Sequence, residues 1–355
     1  RWASDRFHQF VIQGMVDNAR RLARKSVFHF PYVEPVHGAG EGLLSALAKR
    51  SSVVVSDDFP CFFLPRMVDS AANQVTTRLE LVDSNGILPM RAADKVFTRA
   101  YDFRRFLQKN LRSHLIEFPD PDPLKGVRLP KLDRLPADVC RRWPAARLKE
   151  LAGSANDLGT LPIDHSVPFV HSISGGATAA QKQLRKFVSS RLSRYGSERN
   201  QPEEEVTSGL SPYLHFGHIS AHQVFAEVVD SDDWNPSNIA EKATGSASDW
   251  WGASPQVESF LDELITWREV GFNMCWQRDD YDQYESLPEW AQKTLAEHAN
   301  DPREHLYTLE QFESAETHDE LWNAAQRQLV REGRIHNYLR MLWGKKVLEW
   351  SATPE

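Results

Sequence analysis

The sequence LWNAAQRQLVREGRIHNYLRMLWGKKVLEW, residues 321–350, decides how the chain is interpreted, because it holds three tryptophans in two predicted helices. Trp343 and Trp350 are seven residues apart, so a helix places them on one face, about 10 Å apart along its axis. Trp322 belongs to the preceding helix, and Gly333 marks the turn between the two. The stretch therefore predicts successive helices that carry a row of tryptophans.

Polar residues share the helical face of these tryptophans. Positions at helical spacing along that face are His336, Arg340, Trp343 and Val347, and Asn337 and Met341 form a second pair beside them. Tryptophans at this spacing are most often core residues, because large aromatic side chains supply much of a core's buried area. A core alone does not account for Arg340, since a buried arginine needs a polar or charged acceptor. The alternative is a flat polar ligand under the helix.

This stretch resembles the photolyase/cryptochrome family, and most closely the class II cyclobutane pyrimidine dimer photolyases. The similar segments are HNYLRMLWGKKVLEW at 336–350, LWNAAQ at 321–326 and HLYTLEQFESAETHD at 305–319. The resemblance implies an α/β Rossmann-like N-terminal domain with a parallel sheet, followed by an all-α FAD-binding domain.

The first part of the chain has the alternating pattern of an α/β domain. The pattern predicts helices at 7–23, 41–49 and 71–78, and strands at 26–30, 52–56 and 79–82. The continuous apolar run at 52–56 is typical of a buried parallel strand. Asp57, Asp58 and Asp83 follow strands, where ligands bind in such sheets. Acidic loop caps are the ordinary alternative for these three residues.

The chain divides into three parts. We assign residues 1–118 to the α/β domain, 119–174 to a connector rich in proline and charge with a short helix at 141–151, and 175–355 to the helical FAD-binding domain. By comparison with the family, we expect the sheet to be incomplete and the helical domain to be truncated at the C-terminus. The resemblance also implies an antenna pigment of deazaflavin or folate type, whose residues no motif identifies.

Composition limits the partners of the chain. The net charge of −7 excludes a general polyanion binder, so a nucleic-acid site must be a local basic patch. Residues 184–200 carry five cationic side chains, which form either a solvated helix face or a phosphate-contacting patch. No apolar run is long enough for a membrane helix, so we expect no membrane association. We also expect a monomer.

The three cysteines are scattered along the sequence and have no metal-ligand spacing. Cys61, Cys140 and Cys275 form no CxxC pair, which argues against a disulfide framework and against a zinc site. We therefore expect no metal and a reducing compartment, which is the cytoplasm, or the nucleus in a eukaryote.

A second motif predicts a phosphate site. Residues 207–212, TSGLSP, place small hydroxyl residues and a glycine ahead of a helix, where free N–H groups favour an anion. Serine and threonine also cap many helices, so the motif alone is a weak signal. With the following YLHFGHIS it is similar to the FAD diphosphate loop of the family. The resemblance assigns FAD binding to Tyr195, Thr207, Ser208, Gly209, Leu210 and Ser211, and DNA contact to Arg199. Class II members usually have asparagine where this chain has Gly209.

The segment 260–275, FLDELITWREVGFNMC, predicts one amphipathic helix with Glu263 and Trp267 on one face. Ordinary surface charges would explain this pattern in isolation. The resemblance implies that Glu263 hydrogen-bonds the damaged pyrimidines and that Trp267 stacks on them. It places Arg268 and Asn273 near the flavin. A carboxyl group can bond imide groups, and an indole can cover an extruded base pair.

The resemblance also assigns roles within residues 321–350. Trp343, Trp322 and Trp350 carry electrons in that order, which spacing alone does not set. Arg340 lies against the flavin, where its charge favours the anionic form. Asn337 and Met341 are lesion-binding candidates, although class II members usually have glycine at the position of Asn337 and class I members have asparagine.

These assignments predict a deoxyribodipyrimidine photo-lyase activity, in which excited reduced FAD donates an electron that splits cyclobutane pyrimidine dimers in UV-damaged DNA. One alternative is a cryptochrome-like blue-light photoreceptor, which would share the flavin and the tryptophans. The other is an inactive DNA-binding fragment without flavin. The Glu263 and Trp267 pair favours repair over the photoreceptor. A colourless protein that still binds DNA would support the fragment.

Overall fold

The computed structural model describes residues 3–153 and 158–355, which form a mainly helical protein with one small sheet. The first range contains α1 (Asp5–Leu22), α2 (Leu43–Ala48), β1 (Val53–Asp57), α3 (Leu64–Gln74), β2 (Arg78–Val82), α4 (Ala100–Asn110), α5 (Ala137–Arg142) and α6 (Leu148–Leu151). The second contains α7 (Ala177–Ser190), α8 (Leu192–Glu198), α9 (Ser211–His215), α10 (Ala221–Asp230), α11 (Pro255–Leu261), α12 (Arg268–Gln277), α13 (Glu289–Glu297), α14 (Leu309–Glu313), α15 (Glu320–Glu332) and α16 (Asn337–Trp350). The segment Asp262–Trp267 joins α11 to α12 as a π-helical turn.

The sheet consists of β1 and β2, which pair in parallel from Val53 opposite Arg78 to Asp57 opposite Val82. The predicted strands at 52–56 and 79–82 are therefore confirmed as elements. The prediction that the first is buried is wrong, because Val55 is 58% exposed. Its apolar residues are suited to a covered sheet, but α2 and α3 leave them open in this structure.

Three further predictions in this region need correction. The predicted strand at 26–30 pairs with no described residue; Val27 and Phe28 instead line a cavity of about 550 Å³ near the end of α1. The helix predicted at 71–78 spans Leu64–Gln74, with Pro65 in its first turn, where a missing N–H does no harm. The helix predicted at 141–151 is split into α5 and α6, because Pro144 holds the preceding residue in a non-helical conformation.

The acidic residues at the strand ends hold loops. The Asp57 carboxylate accepts a hydrogen bond from the Ser84 hydroxyl at 2.8 Å, and Asp83 accepts the Met90 N–H at 2.7 Å. Asp58 pairs with Arg91 at 3.0 Å. The ordinary alternative, that these carboxylates cap loops, therefore describes their contacts.

From residue 175 onward every regular element is a helix, which confirms the all-α prediction for this part of the chain, all of which is described. Its main apolar cluster also includes side chains from 87–115, so the two parts share one core. Leu111 from the first part and Leu184 and Phe187 from the second are fully buried in it. The boundary at residue 118 stays a prediction, but the core crosses it.

Candidate active site

The tryptophans of α15 and α16 form a contacting group. Trp322 stacks on Trp343 with ring centroids 5.8 Å apart and an interplanar angle of 4°. Trp350 meets Trp322 at 6.2 Å and 62°. Trp322 and Trp350 are buried, and Trp343 is half-buried. Trp322 therefore lies between the other two indoles, and the structure brings all three predicted electron carriers together.

Local structure fixes the positions of these rings. Gly333 ends α15 in the left-handed region at φ 66°, where glycine has no steric penalty, and this lets α16 return against α15. The Trp322 indole N–H donates to the Trp343 carbonyl at 3.2 Å. The Trp343 indole N–H donates to Gln326 Oε1 at 3.1 Å. Both indole N–H groups thus have the polar partner that such rings usually find when they are buried.

The group continues beyond Trp350 to two residues that the sequence analysis did not single out. The Tyr307 ring lies 5.8 Å from Trp350, and its hydroxyl is 2.8 Å from His318 Nδ1. His318 also meets Trp350 edge-on at 4.8 Å. Both residues belong to the segment at 305–319 that carries part of the resemblance, and their spacing in sequence gives no sign of this contact.

The polar side chains at the start of α16 point to a more open surface than expected. Arg340 is exposed rather than buried, and its guanidinium donates to Asn337 Oδ1 at 2.6 Å. Met341 is 48% exposed. The argument that Arg340 needs a buried acceptor is therefore wrong for this structure, since solvent and Asn337 satisfy it. The three residues remain available to a ligand on that surface.

Glu263 and Trp267 lie on the π-helical turn, which corrects the prediction of one continuous α-helix at 260–275. Such turns are rare and often occur at functional sites. Trp267 is 52% exposed, which is unusual for so large an apolar side chain. The Glu263 carboxylate forms an ion pair with Arg199.

Arg199 connects this turn to α8. Its guanidinium also lies 5.7 Å from the ring centroid of Tyr195, which is buried against Phe187 and Phe260. Burial, followed by the nearby Glu263 charge, raises the pKa of Tyr195 above its ordinary value. Arg199, expected at the DNA backbone, is thus engaged with the predicted lesion-binding carboxylate.

The loop at 207–211 has the form of an anion cradle. Gly209 adopts φ 67°, and a Cβ there would lie 2.7 Å from the Gln183 amide nitrogen. That nitrogen donates to the Ser208 carbonyl at 2.6 Å, and Arg191 donates to the Thr207 carbonyl at 3.2 Å. The carbonyls are held from the protein side, while within the described ranges no group accepts the N–H of Ser208 or Gly209.

The side chains of this loop divide between core and solvent. Leu210 is buried in the main core, so only its backbone could meet a ligand, whereas Ser211 is exposed at the start of α9. The loop offers free N–H groups and hydroxyl donors, and two of its carbonyl oxygens are already bonded, which suits the negatively charged diphosphate of FAD. The residues present therefore fit that part of the cofactor.

Two predicted flavin contacts have other partners. The Asn273 amide is buried, accepts the Phe97 N–H at 3.0 Å and donates to the Lys95 carbonyl at 3.0 Å. Arg268 donates to the Asn85 carbonyl. Both side chains join α12 to the segment after β2, and Asn273 has no free polar atom for a cofactor. The sequence could not show these partners, which lie far away along the chain.

Glu269 was missed by the sequence analysis and is the most perturbed carboxyl of this region. It is buried, and its oxygens accept the N–H groups of Ile87 at 2.6 Å and Leu88 at 3.3 Å. Burial raises the pKa of Glu269 to about 8, against the opposing effect of these two donors. The signal available in the sequence was a carboxyl residue two positions after Trp267, directly following Arg268.

Other kinds of site find no support in the part of the chain that the structure describes. No group of three or more His, Cys, Asp or Glu side chains there could hold a metal ion. None of the helices described is both long enough and apolar enough to span a bilayer.

Solved structures that are similar to this chain include photolyases and cryptochromes. A Synechocystis cryptochrome matches with a TM-score of 0.67 at 16% identity, covering 96% of this chain and 65% of its own. A class III photolyase from Agrobacterium tumefaciens matches with a TM-score of 0.61 at 15% identity, covering 97% and 64%. The fold is therefore that of the photolyases and cryptochromes.

Curated relatives give the family. Deoxyribodipyrimidine photo-lyases are 32% identical in Methanothermobacter thermautotrophicus, over 99% of this chain and 69% of the relative, and 31% identical in Potorous tridactylus, over 99% and 60%. The rice enzyme, from Oryza sativa, is 32% identical over 98% and 63%. The chain belongs to the deoxyribodipyrimidine photo-lyase family. It spans 60–69% of the length of these relatives, and no family model matches it.

Proposed function

We propose that the chain carries out light-driven repair of cyclobutane pyrimidine dimers in DNA with FAD as cofactor. The observation that carries this proposal is the contact of Trp322 with both Trp343 and Trp350. Three touching indoles offer a route for electrons that a structural core does not require. The curated relatives are named photo-lyases, whereas the cryptochrome shares the fold at 16% identity. Repair is therefore preferred to light sensing.

The cofactor would be held from two sides. The N–H groups of the loop at 207–211 suit its diphosphate, and the exposed guanidinium of Arg340 would supply a positive charge near the isoalloxazine. When bound and reduced, FAD would supply the photoexcited electron that opens the cyclobutane ring. The tryptophans would pass charge among Trp343, Trp322 and Trp350, in the order in which they touch.

The lesion would meet the π-helical turn. Trp267 offers an open indole face on which an extruded pyrimidine pair could stack, and such stacking is worth about 1–3 kcal/mol per base. Glu263 would accept imide N–H groups of the pyrimidines. Its present partner is Arg199, so lesion binding would have to replace that ion pair.

This replacement links recognition of the base to recognition of the backbone. If Arg199 is released from Glu263, its positive charge is left without a partner in a half-buried position, which is unfavourable. A DNA phosphate is the natural acceptor for a guanidinium. We therefore propose that Arg199 exchanges Glu263 for phosphate when damaged DNA binds.

The direct test is repair of a thymine-dimer oligonucleotide by the purified protein with FAD and a reductant. Recovery of thymine absorbance under blue light, but not in the dark, is the expected result. Absence of recovery while flavin stays bound would refute the proposed repair function.

Two exposed tryptophans provide a matched pair for the lesion site. Trp267→Ala should weaken binding of the dimer oligonucleotide by about 5- to 150-fold, because a stacking surface worth roughly 1–3 kcal/mol is removed. Trp290→Ala, at a tryptophan that is 73% exposed, should leave binding unchanged. Equal affinities of the two variants in a fluorescence anisotropy titration would show that Trp267 is not part of the lesion site.

A further inference from the structure

Two cysteines that are far apart in sequence approach each other between the sheet region and α12. Cys61 follows β1 in the loop that leads to α3, and Cys275 lies in the last turns of α12. Contacts on both sides of Cys61 hold the loop, one to α12 and the other to the segment that follows α12. Phe59 meets Phe272 edge-on at 5.6 Å, and the N–H of Phe62 donates to the Tyr281 hydroxyl at 2.6 Å.

The two thiol groups are near enough for each to shift the pKa of the other. Their interaction lowers the pKa of Cys275, and together with burial it raises the pKa of Cys61. Cys275 is therefore the thiol that more readily becomes a thiolate, which is the reactive form in thiol–disulfide exchange. Both side chains are partly exposed, so a small oxidant can reach them.

We propose that Cys61 and Cys275 are a redox-active pair that forms a reversible disulfide with a low-molecular-weight disulfide such as oxidised glutathione. The Cys275 thiolate attacks one glutathione sulfur, forms a mixed disulfide and releases one glutathione thiolate. Cys61 Sγ then attacks Cys275 Sγ, and the Cys61 proton passes to the second glutathione as it leaves. Two protein S–H bonds are replaced by one S–S bond, and the oxidant leaves as two glutathiones that carry both protons and both electrons.

The disulfide would link the loop after β1 to α12. It would close a loop of about 200 residues, the kind of long loop for which a cross-link restricts the unfolded chain strongly. α12 continues directly from the turn that carries Glu263 and Trp267. Oxidation would therefore fix that turn relative to the loop after β1. In a reducing compartment such bonds are transient and serve as sensors.

The test uses Cys140→Ser, which leaves only the two proposed partners. Cys140 is exposed, and its thiol contacts the Leu135 carbonyl at 3.7 Å, so its replacement should not disturb the fold. The folded variant is treated with oxidised glutathione, alkylated with iodoacetamide and weighed by intact mass spectrometry. We expect a product that carries neither an alkyl group nor glutathione, and a peptide map that joins the segments of Cys61 and Cys275. Two alkylated thiols, or glutathione on each, would overturn the proposal.

The matched control is Cys61→Ser, which retains Cys140 and Cys275. Because Cys140 lies outside the contact, this variant should give alkylated or glutathione-capped thiols and no internal bond. A peptide map of the oxidised wild-type chain gives a second measurement that needs no variant. We expect it to join Cys61 to Cys275, and a map joining either of them to Cys140 instead would refute the pairing. Oxidation should also raise the unfolding temperature of Cys140→Ser, and dithiothreitol should reverse the rise.

Discussion

At the scale of the residue, the tryptophan group depends on Trp322, because this side chain touches both other indoles. Trp322→Phe should abolish most of the photoreduction of oxidised FAD, since a phenyl ring is harder to oxidise than an indole and the route is broken in its middle. The substitution should lower the free energy of unfolding by about 1–3 kcal/mol, as truncation of a buried side chain commonly does. Flavin absorbance during blue illumination measures the first effect, and chemical denaturation the second.

A control separates electron supply from repair. Trp290→Phe alters an exposed tryptophan outside the group and should photoreduce FAD at the wild-type rate. Trp322→Phe with chemically reduced flavin should still repair dimers, because the chain of indoles is then bypassed. An unchanged photoreduction rate in Trp322→Phe would show that electrons take another path.

At the scale of the element, α12 is fastened to the segment after β2 by the buried carboxyl of Glu269. Its pKa of about 8 in the folded protein lies above the ordinary value of 4.5. The stability that the neutral Glu269 carboxyl gives to the fold is therefore fully present below about pH 4.5, and it is lost as the pH rises toward 8. Glu269→Gln cannot ionise at this position. Its free energy of unfolding, relative to that of the wild type, should therefore rise by up to about 1.4 kcal/mol for each pH unit in that window. Unfolding temperatures of both proteins from pH 5 to 8 measure the difference, and a constant difference would contradict the raised pKa.

The same element shows what sequence patterns can and cannot give. The apolar spacing at 260–275 correctly predicted helix, because that pattern depends on neighbours within one turn. It could not predict the π-helical turn, or that Asn273 bonds Lys95 and Phe97, because those partners belong to another part of the chain. β1 gives the converse case: its β-branched residues predicted a strand, but the exposure of Val55 depends on what covers the sheet. The tryptophan contacts were expected from family resemblance, not from spacing.

At the scale of the whole molecule, the apolar side chains form separate clusters of unequal size. The main cluster joins 87–115 to the helices between α7 and the π-helical turn. Trp322 and Trp350 form a small buried cluster with Phe312, apart from the main one. Polar contacts fasten α15 to the rest, among them Arg6 to the carbonyls of Leu329 and Val330. α16 should therefore open locally at a lower free energy than α7 or α11.

Hydrogen exchange followed by mass spectrometry tests this difference in stability. Amides of α16 should exchange faster than those of α7 and α11, because local opening there exposes little buried apolar surface. Equal protection of the three helices would mean that the tryptophan cluster opens only with the main core.

The same measurement with added FAD tests whether the two proposed halves of the cofactor site act together. A flavin held between the loop at 207–211 and Arg340 must contact both segments at once, so binding should slow exchange in that loop and in the first turns of α16. α13 (Glu289–Glu297) is the internal control and should be unaffected, because its described side chains form no hydrogen bond, ion pair or ring contact with either segment. If FAD slows exchange in the loop but not in α16, the loop would still be the diphosphate site, but Arg340 would not be part of the cofactor site. The tryptophan group would then have no flavin beside α16 to receive its electron.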